Sequence, residues 1–255
     1  MRFAARLATG GALHGLPPPP PNLLDGAALF LDFDGTLVEL AETPAAIRVS
    51  PGLGPLLERL RRRLEGRLAI ISGRSLADLE RHVACAGIAF SGSHGLELRL
   101  ADGTALPLSI PAGLEAMRAA VIAFAEGTEG ILVEEKPVGI ALHSRLAPAE
   151  AQRAETFMAG LARTYGMTLQ RGQMVVELRP EGATKGDALR AFMTEPDFAG
   201  ARPVFVGDDL TDEHGFEAAA GLGGAGILVG PERPSAARFR LATVAAVSGW
   251  LSEAA

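Results

Sequence analysis

A single cysteine, Cys85, in 255 residues rules out an intrachain disulfide and any zinc cage built on thiolates. It fits a reducing, cytoplasmic compartment. No apolar run reaches the roughly 18 residues that a membrane-crossing helix needs. A signal core is missing as well, because Gly10, Gly11 and His14 interrupt the apolar residues behind Arg2 and Arg6. Nor is there an excess of positive charge: the net charge of −6 argues against a nucleic-acid-binding surface. Arg61-Arg62-Arg63 is a local basic cluster, and its place at the end of an amphipathic helix makes it a solvated face. Internal repeats are absent too. What remains is ordinary for a soluble globular chain, 48% apolar and 21% charged, long enough for one large or two modest domains.

Residues 1–22 read as a mobile leader ending in a stiff stretch, Pro17 to Pro21, whose five prolines favour polyproline II geometry and suit a spacer or strap. Ala27 to Leu31 then forms a short apolar strand that stops at Asp32-Phe33-Asp34-Gly35-Thr36. Ligands bind at the carboxyl ends of strands in open α/β sheets. Two carboxylates there call for a compensating charge, and hard divalent cations choose such oxygen ligands. The plain alternative is an Asp-Gly hairpin turn.

Strand and helix patterns alternate from there. Ser50-Pro51 is placed to open a helix carrying Leu53, Leu56, Leu57, Leu60 and Leu64, with Gly66 to end it. Leu68 to Ile71 is a strand ending at Ser72-Gly73-Arg74. Leu76, Leu79 and Val83 mark a helix, and Ala89-Phe90 leads into Ser91-Gly92-Ser93-His94-Gly95. This alternation describes a parallel sheet with helices on its faces. After Pro107 the pattern becomes helix, two strand-like runs (131–136 and 139–146), helix, and two more runs near 167–171 and 174–179. Along these runs Glu134 and Lys136, His143 and Arg145, and Glu177 and Arg179 pair off on common faces, while Val133, Ile140, Leu142, Val176 and Leu178 take the other side. A solvated face explains the polar set; a lid over a hydrophilic substrate explains it more sharply. The first pattern returns after Gly182. Thr184 is placed to cap a helix beginning with Lys185, and Val204-Phe205-Val206 is a strand ending at Gly207-Asp208-Asp209-Leu210-Thr211-Asp212. A strand at Ile227 to Val229 follows, then a short strand and a C-terminal helix. The expected fold class is therefore α/β: a Rossmann-like core of residues 23–107 and 183–255, with an α+β cap of residues 108–182 inserted into it.

Asp32 and Asp34, Ser72, Lys185, and Asp208 with Asp212 all fall at strand ends or helix starts in this order. The combination resembles the haloacid dehalogenase superfamily, whose first motif is Asp-x-Asp-Gly-Thr, over the whole core. The resemblance implies that Asp32 is the nucleophile that takes up the phosphoryl group. Asp34 would protonate the leaving oxygen and then deprotonate the attacking water. Ser72 would bind phosphoryl oxygens, and Lys185 would offset their charge. Mg²⁺ would bind Asp32, the Asp34 main-chain carbonyl and Asp208, with Asp212 behind them and Asp209 competing for either role.

Several further segments are similar to the trehalose-6-phosphate phosphatase family: Leu16 and its prolines, Ser72-Gly73-Arg74, Gly92 to Glu97, Val133 to Lys136, Ala141 to Arg145, Glu177 to Pro180, and Gly207 to Glu213. The chain departs from that family at Glu135, where aspartate is usual, and at Ser144, where an aromatic is usual. The resemblance implies a phosphorylated disaccharide as substrate, bound by Gly73, Arg74, Glu134, Lys136, His143, Arg145 and Glu177, with His94 shaping the loop below the cap. It also implies a monomer, with a trehalose-6-phosphate synthase as candidate partner and neither nucleic acid nor membrane. Two alternatives stay open: a phosphatase for sucrose-, glucosylglycerol- or mannosylglycerate-phosphate, and a non-catalytic phosphosugar sensor. A nucleophile beside a general acid weighs against the sensor.

Overall fold

The computed structural model describes residues 15–41, 46–83, 85–105, 110–136, 138–180 and 184–255. They build two sheets. The larger is assembled from β1 (Ala27–Leu31), β2 (Leu68–Ile71), β3 (Ala89–Gly92), β4 (Glu97–Arg99), β9 (Arg202–Gly207), β10 (Ala225–Val229) and β11 (Phe239–Leu241). Its order is β11-β10-β9-β1-β2-β3-β4, parallel except for β4 at one edge. The smaller sheet is antiparallel, in the order β5-β6-β8-β7, and uses β5 (Leu132–Lys136), β6 (Gly139–His143), β7 (Met167–Gly172) and β8 (Val175–Pro180).

Every residue of β1 is buried because both sheet faces are covered, which is why the strand reads as an unbroken apolar run. Leu29, Leu31 and Phe33 pack on one side with α1 (Leu53–Arg63), α2 (Leu76–His82) and α7 (Val244–Glu253). Ala28 and Phe30 face the other side, with α5 (Lys185–Thr194) and α6 (Glu213–Gly221). There Phe30 stacks on Phe192 and Phe198, with ring centroids 6.2 and 5.6 Å away. In the smaller sheet Ile140, Leu142, Val176 and Leu178 pack against α3 (Leu114–Glu126) and α4 (Ala151–Tyr165).

Some local expectations change. Helix α1 starts at Leu53 with Gly52 as its cap and no capping side chain, so Ser50 does not cap it; the Ser50 hydroxyl accepts from the Gly52 amide instead. The same helix ends through two left-handed residues, Glu65 at φ 55° and Gly66 at φ 88°, with the Gly66 amide donating to the Arg61 carbonyl at 2.8 Å as the expected terminator. Strand β4 went unseen in the sequence because it is three residues long, two of them charged, and made by pairing with β3. Strand β6 ends at His143, so Arg145 lies beyond it, in an exposed turn.

Residues 1–14 of the expected leader lie outside the described residues, and its end is docked on the core. Pro19 is buried, Leu16 packs on the core, and the Pro17 carbonyl accepts from the Arg240 amide at 3.0 Å. The expected cap boundaries fall at 107/108 and 182/183, also outside the described residues.

Candidate active site

The carboxyl ends of the central strands converge. Asp32 follows β1 and its amide still donates to the Val206 carbonyl at 2.9 Å, so β9 fixes its position. The chain then folds back tightly: the amides of Leu37 and Val38 donate to the Phe33 carbonyl, and the Gly35 amide to that of Val38. Gly35 adopts φ 78°, and a Cβ there would collide with the Asp208 carboxylate, so glycine is needed on two counts.

Asp208 follows β9. Asp212 ends a short 3₁₀ turn (Leu210–Asp212), and its fully buried carboxylate accepts from the amides of Asp208 and Asp209 at 3.0 and 2.9 Å. Asp209 caps that turn, its exposed side chain accepting from the Leu210 amide at 2.6 Å. Asp212 therefore joins the site while Asp209 holds the loop. Lys185 is the first residue of α5, where Thr184 and Asp187 form a reciprocal capping box. Its buried ammonium donates to Asp32 at 2.7 Å and to Asp212 at 2.6 Å.

One carboxylate oxygen from each of Asp32, Asp208 and Asp212 lies within 4.8 Å of the others, with Lys185 as the one cation bridging the group among the described residues. The charges do not balance. Burial pushes the Asp32 carboxyl well above its usual range against the pull of Lys185, with Asp212 and Asp208 adding to the rise. Burial and the Asp212 charge likewise raise Asp208 to about 6. Burial works against the Lys185 charge, yet Asp212 and Asp32 outweigh it and hold the ammonium above its ordinary value. Opposite unit charges roughly 4 Å apart gain about 4 kcal/mol at an effective dielectric near 20. One lysine therefore leaves an uncompensated negative charge that a divalent cation would neutralise, and oxygen donors of this kind suit a hard cation.

Ser72 follows β2, and its buried hydroxyl accepts from the Arg74 amide at 3.2 Å. That leaves its proton available to an incoming oxygen. Arg74 grips both oxygens of Asp34, at 2.6 and 2.7 Å, and reaches Asp78 at 2.6 Å. Its largely buried guanidinium thus holds Asp34, which keeps the Asp34 carboxylate out of the group around Asp32.

The polar face of the cap sheet is within electrostatic reach of these strand ends. Glu134 feels the charge of Arg74, and His94 of the core that of Lys136 and Arg179 of the cap. On that face Lys136 donates to Glu177 at 2.9 Å, and His143 lies 2.9 Å from Glu134, which lowers the Glu134 carboxyl. The two departures noted in the sequence have partners away from these pairs. Glu135 points to the opposite face, 3.9 Å from Arg118, and the Ser144 hydroxyl is turned to the Met174 carbonyl at 3.3 Å. Arg179 and Thr36 were named in the sequence without a role at the site. Arg179 shares the Glu177 face by its spacing of two, as the alternation along the strand predicts; the Thr36 hydroxyl, which closes the Asp-x-Asp-Gly-Thr motif, lies 3.4 Å from Asp32.

The match to a family model described as trehalose-phosphatase runs over residues 30–245, from the strand carrying Asp32 to the start of α7. The chain belongs to the trehalose-phosphatase family. A probable trehalose-phosphate phosphatase of Sinorhizobium fredii is 41% identical over 214 residues, 83% of this chain and 81% of that one. The trehalose-6-phosphate phosphatase of Escherichia coli is 37% identical over 236 residues, covering 91% and 87%. The fold is shared with the C-terminal domain of Candida albicans trehalose-6-phosphate phosphatase, with a TM-score of 0.74 at 24% identity over 93% of this chain and 97% of that one. Membership makes the chain a phosphoric monoester hydrolase.

Proposed function

We propose that this chain hydrolyses trehalose 6-phosphate to trehalose and phosphate, with Asp32 as nucleophile. The observation that carries the reading is the buried Asp32 carboxylate, held by Lys185 beneath a cap face of paired carboxylates and cations. Asp32 attacks phosphorus and the bond to the sugar oxygen breaks, leaving an aspartyl phosphate. Asp34 gives its proton to that oxygen, then takes one from the water that frees phosphate and restores Asp32. Both Asp34 oxygens accept from Arg74, so the acid form requires one of those bonds to open. Ser72 and Lys185 bind phosphoryl oxygens, and Gly73 lets the turn that carries Ser72 pack against the His94 ring. The cap face offers donors and acceptors to sugar hydroxyls through Glu134, Lys136, His143 and Glu177, and its closure excludes water during the first transfer.

The ion that fits the carboxylate group is Mg²⁺, which Asp32, Asp208 and the Asp34 carbonyl would hold. Both oxygens of Asp212 are already engaged, so that residue stands behind. When bound, the ion supplies charge compensation and Lewis acidity at the phosphoryl oxygens. A cytoplasmic monomer, able to draw substrate from a synthase, is the matching cellular picture.

Phosphate release from trehalose 6-phosphate, sucrose 6-phosphate, glucose 6-phosphate, mannosyl-3-phosphoglycerate and glucosylglycerol phosphate tests the reading. A strong preference for the first, abolished by EDTA and in Asp32→Asn, is expected. Preference for another ester overturns the substrate.

A further inference from the structure

The loop Ser93–Gly95 between β3 and β4 is held in an unusual shape. Ser93 and His94 are both left-handed, at φ 48° and 58°, a conformation that non-glycine residues keep only when their surroundings impose it. Here the surroundings are the catalytic segments. The Ser93 amide donates to the Arg74 carbonyl at 2.7 Å, and the His94 amide to that of Ser72 at 3.0 Å. Gly95 abuts the Thr184 carbonyl just ahead of Lys185, where a Cβ would come within 2.5 Å.

The shape places the His94 ring against Gly73. A Cβ on Gly73 would lie 2.6 Å from Cε1 and 2.7 Å from Nε2. A histidine that only shaped the loop would pair its ring inside the loop. That pairing is made without it: Ser93 donates to Glu97 at 2.5 Å, and the buried Nδ1 of His94 has no hydrogen-bond partner among the described residues. Around the ring stand Lys185 of the core and Lys136 and Arg179 of the cap. Burial and these three cations lower its basicity to a pKa of about 3, so one ring nitrogen stays an acceptor at neutral pH. The group touching the phosphate-binding turn and facing the cap is thus a half-open imidazole with an unmet hydrogen bond.

We propose that His94 binds the sugar, a ring nitrogen pairing with a hydroxyl of the hexose that carries the phosphate, and so determines specificity for the sugar part of the substrate. This rests on the phosphatase reading above. The position beside Ser72-Gly73 points to the phosphorylated ring, and the cap face is left to the more distant one.

The test compares wild type, His94→Ala and His94→Asn on trehalose 6-phosphate and on p-nitrophenyl phosphate, which has no sugar. Asparagine tolerates the left-handed backbone and sets a polar atom near the place of Nδ1. In His94→Ala, kcat/KM for the sugar ester is expected to fall about tenfold to a hundredfold further than for the nitrophenyl ester, mainly through KM. His94→Asn is expected to recover part of that loss. Parallel losses on both esters, together with a lower Tm, would make His94 a loop-shaping residue and overturn the proposal. Should wild type prefer another sugar ester, the trehalose 6-phosphate reading fails and the same comparison on that ester decides His94. If wild type prefers no sugar ester at all, both readings fail.

Discussion

Gly35 shows how little freedom the site leaves to one residue. It is left-handed and lies against the Asp208 carboxylate, so Gly35→Ala brings both backbone strain and displacement of that carboxylate. The strain alone costs about 1–2 kcal/mol. Urea denaturation is expected to show at least that loss, and an isothermal titration with Mg²⁺ a weaker affinity. His94 makes a second prediction at this scale. Unfolded, it takes up a proton near pH 6.5; folded, it does so only near 3, because burial and then Lys185 of α5, Lys136 of β5 and Arg179 of β8 oppose the charge. Between those values the unfolded chain binds more protons, so this contribution is fully present above pH 6.5 and is lost as pH falls. The slope is up to about 1.4 kcal/mol per pH unit. Subtracting the stability curve of His94→Asn from that of wild type should isolate this slope. A flat difference between pH 6.5 and 4 would contradict it.

Helix α5 is the element that presents Lys185, and its start is fixed by the Thr184–Asp187 capping box. Thr184→Ala is expected to cost about 1 kcal/mol of stability. Because the next residue bridges Asp32 and Asp212, kcat should fall as well, and Thr184→Ser should restore both. Thermal melts alongside steady-state kinetics check the pair. A stability loss with unchanged kcat would mean that tertiary contacts alone hold Lys185. In the cap sheet the corresponding unit is Lys136 with Glu177. Lys136→Met leaves the buried Glu177 carboxylate without its ammonium, a change that raises KM for the sugar ester and lowers Tm.

At the scale of the molecule, folding gathers three carboxylates around one lysine, and the unfolded chain has no such cluster. A cation that binds the folded state alone stabilises it by about 2.7 kcal/mol at a hundredfold excess over its Kd. For a chain of this size that is a rise in Tm of roughly 5–10 °C. Calorimetry with Mg²⁺, then with EDTA, is expected to show the rise and its reversal, and Asp208→Asn to abolish it. An unchanged Tm in saturating Mg²⁺ would remove the metal from this site.

Much of the protein was legible in its sequence because the relevant signals are local. The buried strand before Asp32, the leucine spacing of α1, the Thr184 cap and the alternation along β5 and β8 each depend on neighbours a few residues apart. So the parallel core, the inserted cap and the positions of Asp32, Asp34, Ser72, Lys185 and Asp208 could be read directly. The tertiary structure alone decided what depends on distant partners. It docked the proline stretch on β11, made β4 an edge strand, ended β6 ahead of Arg145, and committed Arg74 to Asp34. It also settled the rivalry of Asp209 and Asp212, because which carboxylate is buried follows from where Lys185 of α5 arrives, and set His94 against Gly73. Spacing along the chain fixes which face a side chain shares; only packing determines which charge it meets there.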